Sequence, residues 1–169
     1  LELMDNSYHV DCAAKYTSGS ATKNWTISHL PNTEIVVKSG NYSMGTYTTN
    51  GSGQLTLSEA VDSVEIGLDF TPELTTLPPE FQLPDGISVG QKRRIVRAVL
   101  DLNEALNVKT RGTTLLIRRV TDDFSLEPVA VTSRKEVYLL GWSSEGTVTI
   151  TQDQPLPLTI NGILLELGI

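Results

Sequence analysis

The side chains most able to do chemistry in this sequence form a short basic cluster. Lys92, Arg93 and Arg94 are consecutive, and Arg97 follows three residues later. Such cations can pair with carboxylates of a neighbouring subunit, protect an exposed strand edge from unwanted pairing, or contact phosphates. The chain has 13 Lys and Arg against 20 Asp and Glu, a net charge of −7. Because phosphate binding needs a basic face, we expect no specific nucleic-acid binding and take these four residues as a candidate subunit interface.

Metal and thiol chemistry have little support in the sequence. His9, His29 and Cys12 offer at most three zinc ligands, and their spacing is not that of a paired site. Asp122 and Asp123 lack the regular oxygen-ligand spacing of a calcium loop. We therefore predict no metal site and no cofactor. One cysteine excludes an internal disulfide, and its place in an alternating run predicts a small buried apolar side chain.

The motifs of common enzymes are also missing from the sequence. It contains no G-x-S-x-G elbow, no Walker motif and no dinucleotide fingerprint. Residues 51–53 are Gly-Ser-Gly, but no helix is expected after them, so they predict a flexible loop and not a phosphate site. Twenty acidic residues bring some carboxylates together by chance, so the sequence nominates no catalytic pair. We predict no enzymatic activity and no catalytic residue.

Aromatic residues suggest a different function, the binding of carbohydrate. Trp142 follows Gly141 and precedes a turn at 143–146, which predicts a partly exposed ring able to stack on a sugar. Trp25, Tyr42 and Tyr47 could do the same if they are exposed, although burial is the commoner fate of tryptophan. A carbohydrate-binding or adhesin module that contacts a host surface glycan is therefore the alternative function.

The abundance of Thr, Val and Ile favours pleated structure and predicts an all-β protein. We expect two small antiparallel β-barrel or sandwich units joined by a Pro-rich linker. The first unit spans 1–70, with strands at 8–14, 34–38, 54–58 and 63–70, a polar loop at 17–24 and a loose hairpin or loop at 40–53. The linker spans 71–90, contains four prolines and includes a turn at 84–86.

The second unit spans 91–169 and begins with an ambiguous segment at 91–107. Val96, Ala98, Leu100 and Leu102 alternate as in a strand, whereas Ile95, Val99, Leu102 and Leu106 have helical spacing. The β context favours the strand. Further strands are expected at 113–120, 137–140, 146–151 and 158–167, with a long surface loop at 122–133.

The C-terminal segment has the most distinctive amino-acid sequence in the chain. Pro155 and Pro157 fix two φ angles and remove two N–H donors, which predicts a stiff corner in a Pro-kinked hairpin. The run from Gln152 to Leu158 resembles the closing segment of the tail tubular (nozzle) proteins of short-tailed bacteriophages. Weaker matches follow the same order along most of the chain, at 8–12, 30–37, 54–57, 64–68, 77–80, 83–86, 92–95 and 142. Asp69 departs from the family, which usually has Pro followed by an aromatic residue there.

The resemblance implies a structural, non-enzymatic part of the virion tail. In that family such a region belongs to a larger subunit, and six copies surround the channel through which the DNA leaves. It therefore implies a hexamer with other copies, contacts with other tail proteins, synthesis in the bacterial cytoplasm, and a strand at 91–102. The basic cluster and the loop at 122–133 are our candidates for the two faces of a ring contact. The chain starts at Leu1 without a signal peptide or membrane span, and we expect a fragment of a longer subunit.

Overall fold

The structure is a computed structural model that describes residues 5, 7–80, 82–83, 86–87, 92–139, 141–143 and 145–168. These residues form thirteen strands and no helix, so the predicted all-β class is confirmed. The described strands make several antiparallel sheets, and none of these closes into a barrel. The structure divides into two compact units, each described separately below. Unit 1 combines Leu1–Thr71 with Arg118–Val129 and Asp153–Pro157, and unit 2 holds the remainder.

Unit 1 is built on a four-stranded antiparallel sheet. Its strands are β1 (Asp11–Thr26), β2 (Glu34–Ser39), β3 (Tyr42–Thr48) and β4 (Gln54–Leu68), in the order β1-β4-β2-β3. One face carries the core, in which Ile27, Val37 and Ile66 are fully buried. Burial of each such side chain contributes about 2 kcal/mol.

Two sequence predictions for unit 1 are wrong. Residues 17–24, expected as a polar loop, lie within β1, and residues 59–62 continue β4 between the two strands expected there. The polar segment is ordered because it pairs across to β4, with Thr17 opposite Ser63 and Asn24 opposite Thr56. Cross-strand pairing satisfies the backbone whatever the side chains, and threonine suits a pleated surface.

Cys12 is also placed differently from the prediction. Its side chain is exposed, and its φ of 49° is positive. The register between β1 and β4 shifts between Asp11 and Ala14, so a bulge interrupts the alternation on which the prediction of burial depended.

Unit 2 contains two larger sheets and a short two-stranded ladder. The strands are β5 (Glu73–Thr75), β6 (Gln82–Leu83), β7 (Gly86–Ile87), β8 (Arg94–Ala105), β9 (Lys109–Thr110), β10 (Thr113–Thr114), β11 (Val131–Tyr138), β12 (Thr149–Thr151) and β13 (Thr159–Gly168). The sheets have the orders β10-β9-β12-β5 and β11-β8-β13, and β6 pairs with β7. Pro84 and Asp85, expected to form a turn, lie outside the described residues, as does Gln91.

The central strand β8 confirms the strand prediction for the ambiguous segment. It pairs with β11 on one side and with β13 on the other, so backbone donors and acceptors on both of its edges are hydrogen-bonded to neighbouring strands. Ala98, Leu100 and Leu102 point into the core, and each is at most 1% exposed. The helical spacing of neighbouring apolar residues is therefore coincidental.

The remaining predictions for unit 2 are partly wrong. The strand expected at 113–120 ends at Thr114, and β11 already begins at Val131 inside the expected loop. The strands around Pro155 and Pro157 do not pair with each other: β12 joins the sheet of β5 and β9, whereas β13 joins β8. The two prolines thus make a corner between sheets and not a hairpin, because they remove the donors that a continuing ladder needs.

Candidate functional site

The exposed side of the sheet β11-β8-β13 is the candidate functional site. Strand alternation sends Arg97 and Val99 of β8 to the side opposite the core. Arg97 stands between Tyr138 of β11 and Glu166 of β13, and Val99 stands between Glu136 and Leu164. We call these six residues the outer sheet face. Its apolar members are prominent, since Tyr138 is 69% and Leu164 is 68% exposed.

Charges on the outer sheet face are paired with each other. The Nε of Arg97 donates to Oε2 of Glu166 at 2.9 Å, and its Nη1 donates to Oε2 of Glu136 at 3.2 Å. The Tyr138 hydroxyl also donates to Glu136, at 3.3 Å. Hydrogen bonding to Glu136, followed by the charge of that carboxylate, raises the pKa of Arg97 further above its ordinary value. Exposed ion pairs add little stability, so this network fixes the geometry of the face more than it holds the fold together.

The basic cluster predicted as one interface is divided between different environments. Lys92 is exposed, Arg93 is buried, Arg94 is half-buried, and Arg97 lies on the outer sheet face. Because Arg94 and Arg97 belong to β8, the central strand of its sheet, these two cations do not protect an exposed strand edge. Their role in a subunit contact stays a prediction; Lys92 is exposed, whereas Arg94 and Arg97 are both half-buried.

Arg93 has a structural environment. It is 4% exposed, and its Nη1 donates to the backbone carbonyl of Pro79. Its backbone N–H and C=O exchange hydrogen bonds with Ser143, both of 2.8 Å. A Cβ added at Gly146 would lie 2.8 Å from the aliphatic part of this side chain. Arg93 therefore connects three segments of unit 2.

Trp142 lies next to this bridge and is 57% exposed, as the sequence predicts. Gly141 before it has a φ of 103°, a conformation that favours glycine. Trp25, by contrast, is buried in the core of unit 1. A surface cleft of about 550 Å³ in unit 1 is lined by Tyr42 and by carboxylates that include Glu59 and Asp62. An aromatic ring beside carboxylates is a combination that can also hold a sugar.

A buried charge cluster in unit 1 was missed by the sequence analysis. Glu65 and Lys38 are 5% and 7% exposed, and their ionic groups lie 3.7 Å apart. Glu65 accepts a hydrogen bond from the backbone N–H of His9, whose Nδ1 lies 2.9 Å from the Lys38 ammonium. Lys15 adds a second cation, 3.9 Å from Glu65.

Burial has opposite consequences for the two central groups of this cluster. It lowers the pKa of Lys38, against the opposing effect of the Glu65 charge. Burial alone would raise the pKa of Glu65, but hydrogen bonds from His9 and the charge of Lys38 together bring it below its ordinary value. In the sequence, the only sign of this cluster is that Lys38 and Glu65 each stand next to apolar residues that are buried in the structure. The two residues become direct cross-strand partners when β2 pairs with β4.

A second exposed surface is a loop between β10 and β11. We call Arg118–Val129 the apolar loop because it carries four exposed large hydrophobic side chains: Val120, Phe124, Leu126 and Val129. The predicted loop at 122–133 overlaps it. Among the described residues, no three His, Cys, Asp or Glu side chains are arranged to hold a metal ion.

Comparison with protein families and with curated proteins identifies no relative of this chain. The chain matches no protein-family model, and no curated protein matches it at a significant level. Within the described residues there is no helix long and apolar enough to cross a bilayer.

Proposed function

We propose that this chain is a structural module of a phage tail nozzle subunit, without enzymatic activity. It packs with other copies in a ring, a hexamer in the full-length protein, around the channel for DNA ejection. Its place is the virion tail, where it also contacts other tail proteins. The resemblance of residues 152–158 to tail tubular proteins supports this proposal, together with the outer sheet face.

The outer sheet face is the observation that supports a packing role most strongly. Exposed Tyr138 and Leu164 give the face apolar surface on its two outer strands, and Arg97 on the central strand pairs with Glu136 and Glu166. Tyrosine and arginine are frequent among the residues that dominate the energy of protein interfaces. The buried residues of β8 hold the face rigid, so little order has to be gained on association.

Charge reversal at Arg97 tests this proposal in the full-length subunit. Arg97→Glu places a third carboxylate between Glu136 and Glu166, and we expect it to shift the particle mass from a ring towards single subunits. Multi-angle light scattering measures that mass. Lys23→Glu, an exposed charge reversal in unit 1, is the matched control. A full-length subunit that forms no ring would contradict the proposal.

Glycan binding is the second candidate, and the exposure of Trp142 favours it. A tryptophan ring open to solvent can stack on the apolar face of a sugar. Trp142→Ala should then abolish binding of the protein to an array of host surface glycans, whereas Tyr138→Ala should leave it unchanged. An array on which the intact protein binds no glycan would count against this function.

A further inference from the structure

The turn between β3 and β4 contains a side chain that can react with its own backbone. Asn50 is exposed and is followed by Gly51, so no side chain shields the backbone nitrogen that comes next in the chain. Asparagine is thermolabile, because that nitrogen can attack the side-chain amide carbon and close a five-membered ring. At Asn50 the chain therefore carries the two groups that a self-modification needs.

The oxygen of the Asn50 side chain lies between two backbone donors. The N–H of Ser52 and the N–H of Gln54 both donate to Oδ1, each at 2.9 Å. These donors also fix which end of the amide is the oxygen, since an amide nitrogen would not face an N–H group. Nδ2 donates in turn to Oε1 of Gln54 at 3.0 Å. The amide is thus held in one position before any reaction begins.

Two donors on one carbonyl oxygen have the arrangement of an oxyanion hole. When a nucleophile attacks the amide carbon of Asn50, negative charge develops on Oδ1. Hydrogen bonds to a charged oxygen are about twice as strong as those to a neutral one. The bonds from Ser52 and Gln54 therefore stabilise the transition state more than the ground state, which is the condition for a faster reaction.

The backbone N–H of Gly51 differs from those around it. The N–H groups of Asn50, Ser52, Gly53 and Gln54 each donate a hydrogen bond of 2.9 Å. In the part of the chain that the structure describes, the N–H of Gly51 has no acceptor. A hydrogen-bonded N–H has to give up its acceptor before it can lose its proton, and Gly51 avoids this cost.

We propose that Asn50 is a self-modification site, at which the backbone nitrogen of Gly51 attacks the side-chain amide carbon and Asn50 loses ammonia. This inference goes beyond the proposed function, since it concerns the covalent chemistry of one turn in unit 1 and does not require assembly.

The reaction uses only water and the hydroxide ion. Hydroxide removes the amide proton of Gly51, its nitrogen forms a bond to Cγ of Asn50, and the C=O electron pair moves to Oδ1. When that pair returns, the Cγ–Nδ2 bond breaks, and Nδ2 takes a proton from water and leaves as ammonia. Water then opens the cyclic imide at either carbonyl, which gives aspartate or isoaspartate. No group is oxidised or reduced.

Either product changes the turn. Both lose the Nδ2 donor that now faces Oε1 of Gln54, and both add a negative charge there. Isoaspartate also routes the backbone through Cβ and Cγ. The main-chain carbonyl of residue 50, which accepts from Gly53 at 2.9 Å and from Asn32 at 3.1 Å, then becomes a side-chain carboxylate.

The second Asn-Gly pair of the sequence supplies an internal control. Asn161 and Gly162 lie in β13 and are exposed, and the described residues make no hydrogen bond to the Asn161 side chain. The protein is incubated in heavy-oxygen water at mildly alkaline pH, and peptides with each asparagine are followed by mass spectrometry. In the folded protein, we expect Asn50 to convert at least about tenfold faster than Asn161. In urea, where the donors are lost, the two rates should agree within about threefold.

Gly51→Ala tests the identity of the nucleophile. The added Cβ would lie 3.8 Å from the Asn32 side chain, an ordinary contact, so the turn should fold as before. Because this methyl group shields the attacking nitrogen, conversion of Asn50 should slow at least about tenfold. Gly162→Ala is the matched control, with no atom within 4 Å of its Cβ position, and it should leave the rate at Asn50 unchanged.

Two results would overturn the proposal. Equal or faster conversion of Asn161 in the folded protein would show that the donors to Oδ1 of Asn50 do not accelerate the reaction. Conversion of Asn50 that yields aspartate without isoaspartate, or that proceeds undiminished in Gly51→Ala, would show direct hydrolysis by water in place of ring closure.

Discussion

At the scale of single residues, Glu65 connects the first residues of unit 1 with its central strands. Its pKa lies below the ordinary value of 4.5, so its contribution to stability is present above pH 4.5 and is lost as the pH falls through the folded-state pKa. We expect Glu65→Gln to lower the free energy of unfolding at pH 7 by about 2 kcal/mol, because Lys38 loses its buried partner. Urea unfolding measures this loss.

The pH dependence makes this prediction specific. Below pH 4.5, the free energy of unfolding should decrease in the wild type and should decrease less in Glu65→Gln. His9, Lys15 and Lys38 surround this carboxylate and are kept in the variant, so the substitution removes only the acidic group. Glu59→Gln, an exposed change on the same strand, should behave as the wild type. Identical pH curves for Glu65→Gln and the wild type would disprove the assignment.

Gly53 is a residue whose conformation the turn before β4 requires. Its φ is 72°, and an added Cβ would collide with the carbonyl oxygen of Ile27. We expect Gly53→Ala to destabilise the protein by about 2 kcal/mol. Gly19→Ala is the matched control, since no atom lies within 4 Å of its Cβ position, and it should change the unfolding midpoint little. Equal midpoints for the two variants would contradict the role of Gly53.

At the scale of elements, β8 holds unit 2 together and also forms the centre of the outer sheet face. Leu100 is completely buried in the core, with 0% of its surface exposed, whereas Leu164 on β13 is 68% exposed. Leu100→Ala should cost about 3 kcal/mol of unfolding free energy, and Leu164→Ala less than about 0.5 kcal/mol. Thermal and urea unfolding would show the difference, and comparable losses would contradict the assigned faces of the sheet.

The apolar loop should depend on its attachment at Glu127. Glu127→Ala removes the acceptor for the backbone N–H of Asn41, and we expect amide hydrogens at 118–129 to exchange at least tenfold faster. Exchange in β8 should stay unchanged. Glu59→Ala, which lines the same cleft as Glu127, is the control. Unchanged exchange in the loop would show that this hydrogen bond does not hold it.

Sequence patterns predict some of these elements and not others, for physical reasons. The alternation in 96–102 predicts β8 because both edges of that strand are paired and one face is buried. The polar residues 17–24 give no such signal, since their order comes from pairing with a strand some forty positions away. The Glu65 and Lys38 pair depends on register in the same way, which local sequence does not specify.

At the scale of the whole molecule, we propose an all-β protein whose function is to pack against other copies. The net charge of −7 means that neighbouring copies repel one another at long range, so short-range apolar contact has to hold them together. Association between copies of this chain should therefore strengthen as salt is raised from about 0.05 to 0.5 M. Light scattering measures the particle mass, and disassembly in salt would show that ion pairs dominate the contact.

The central claim is that this chain is part of a phage tail nozzle. Mass spectrometry of purified virions or induced prophage particles, with antibody labelling in electron micrographs, tests it most directly. We predict peptides of this chain within a longer subunit, and label at the tip of the short tail. Particles that lack these peptides would contradict the nozzle assignment and leave glycan binding by Trp142 as the function to test.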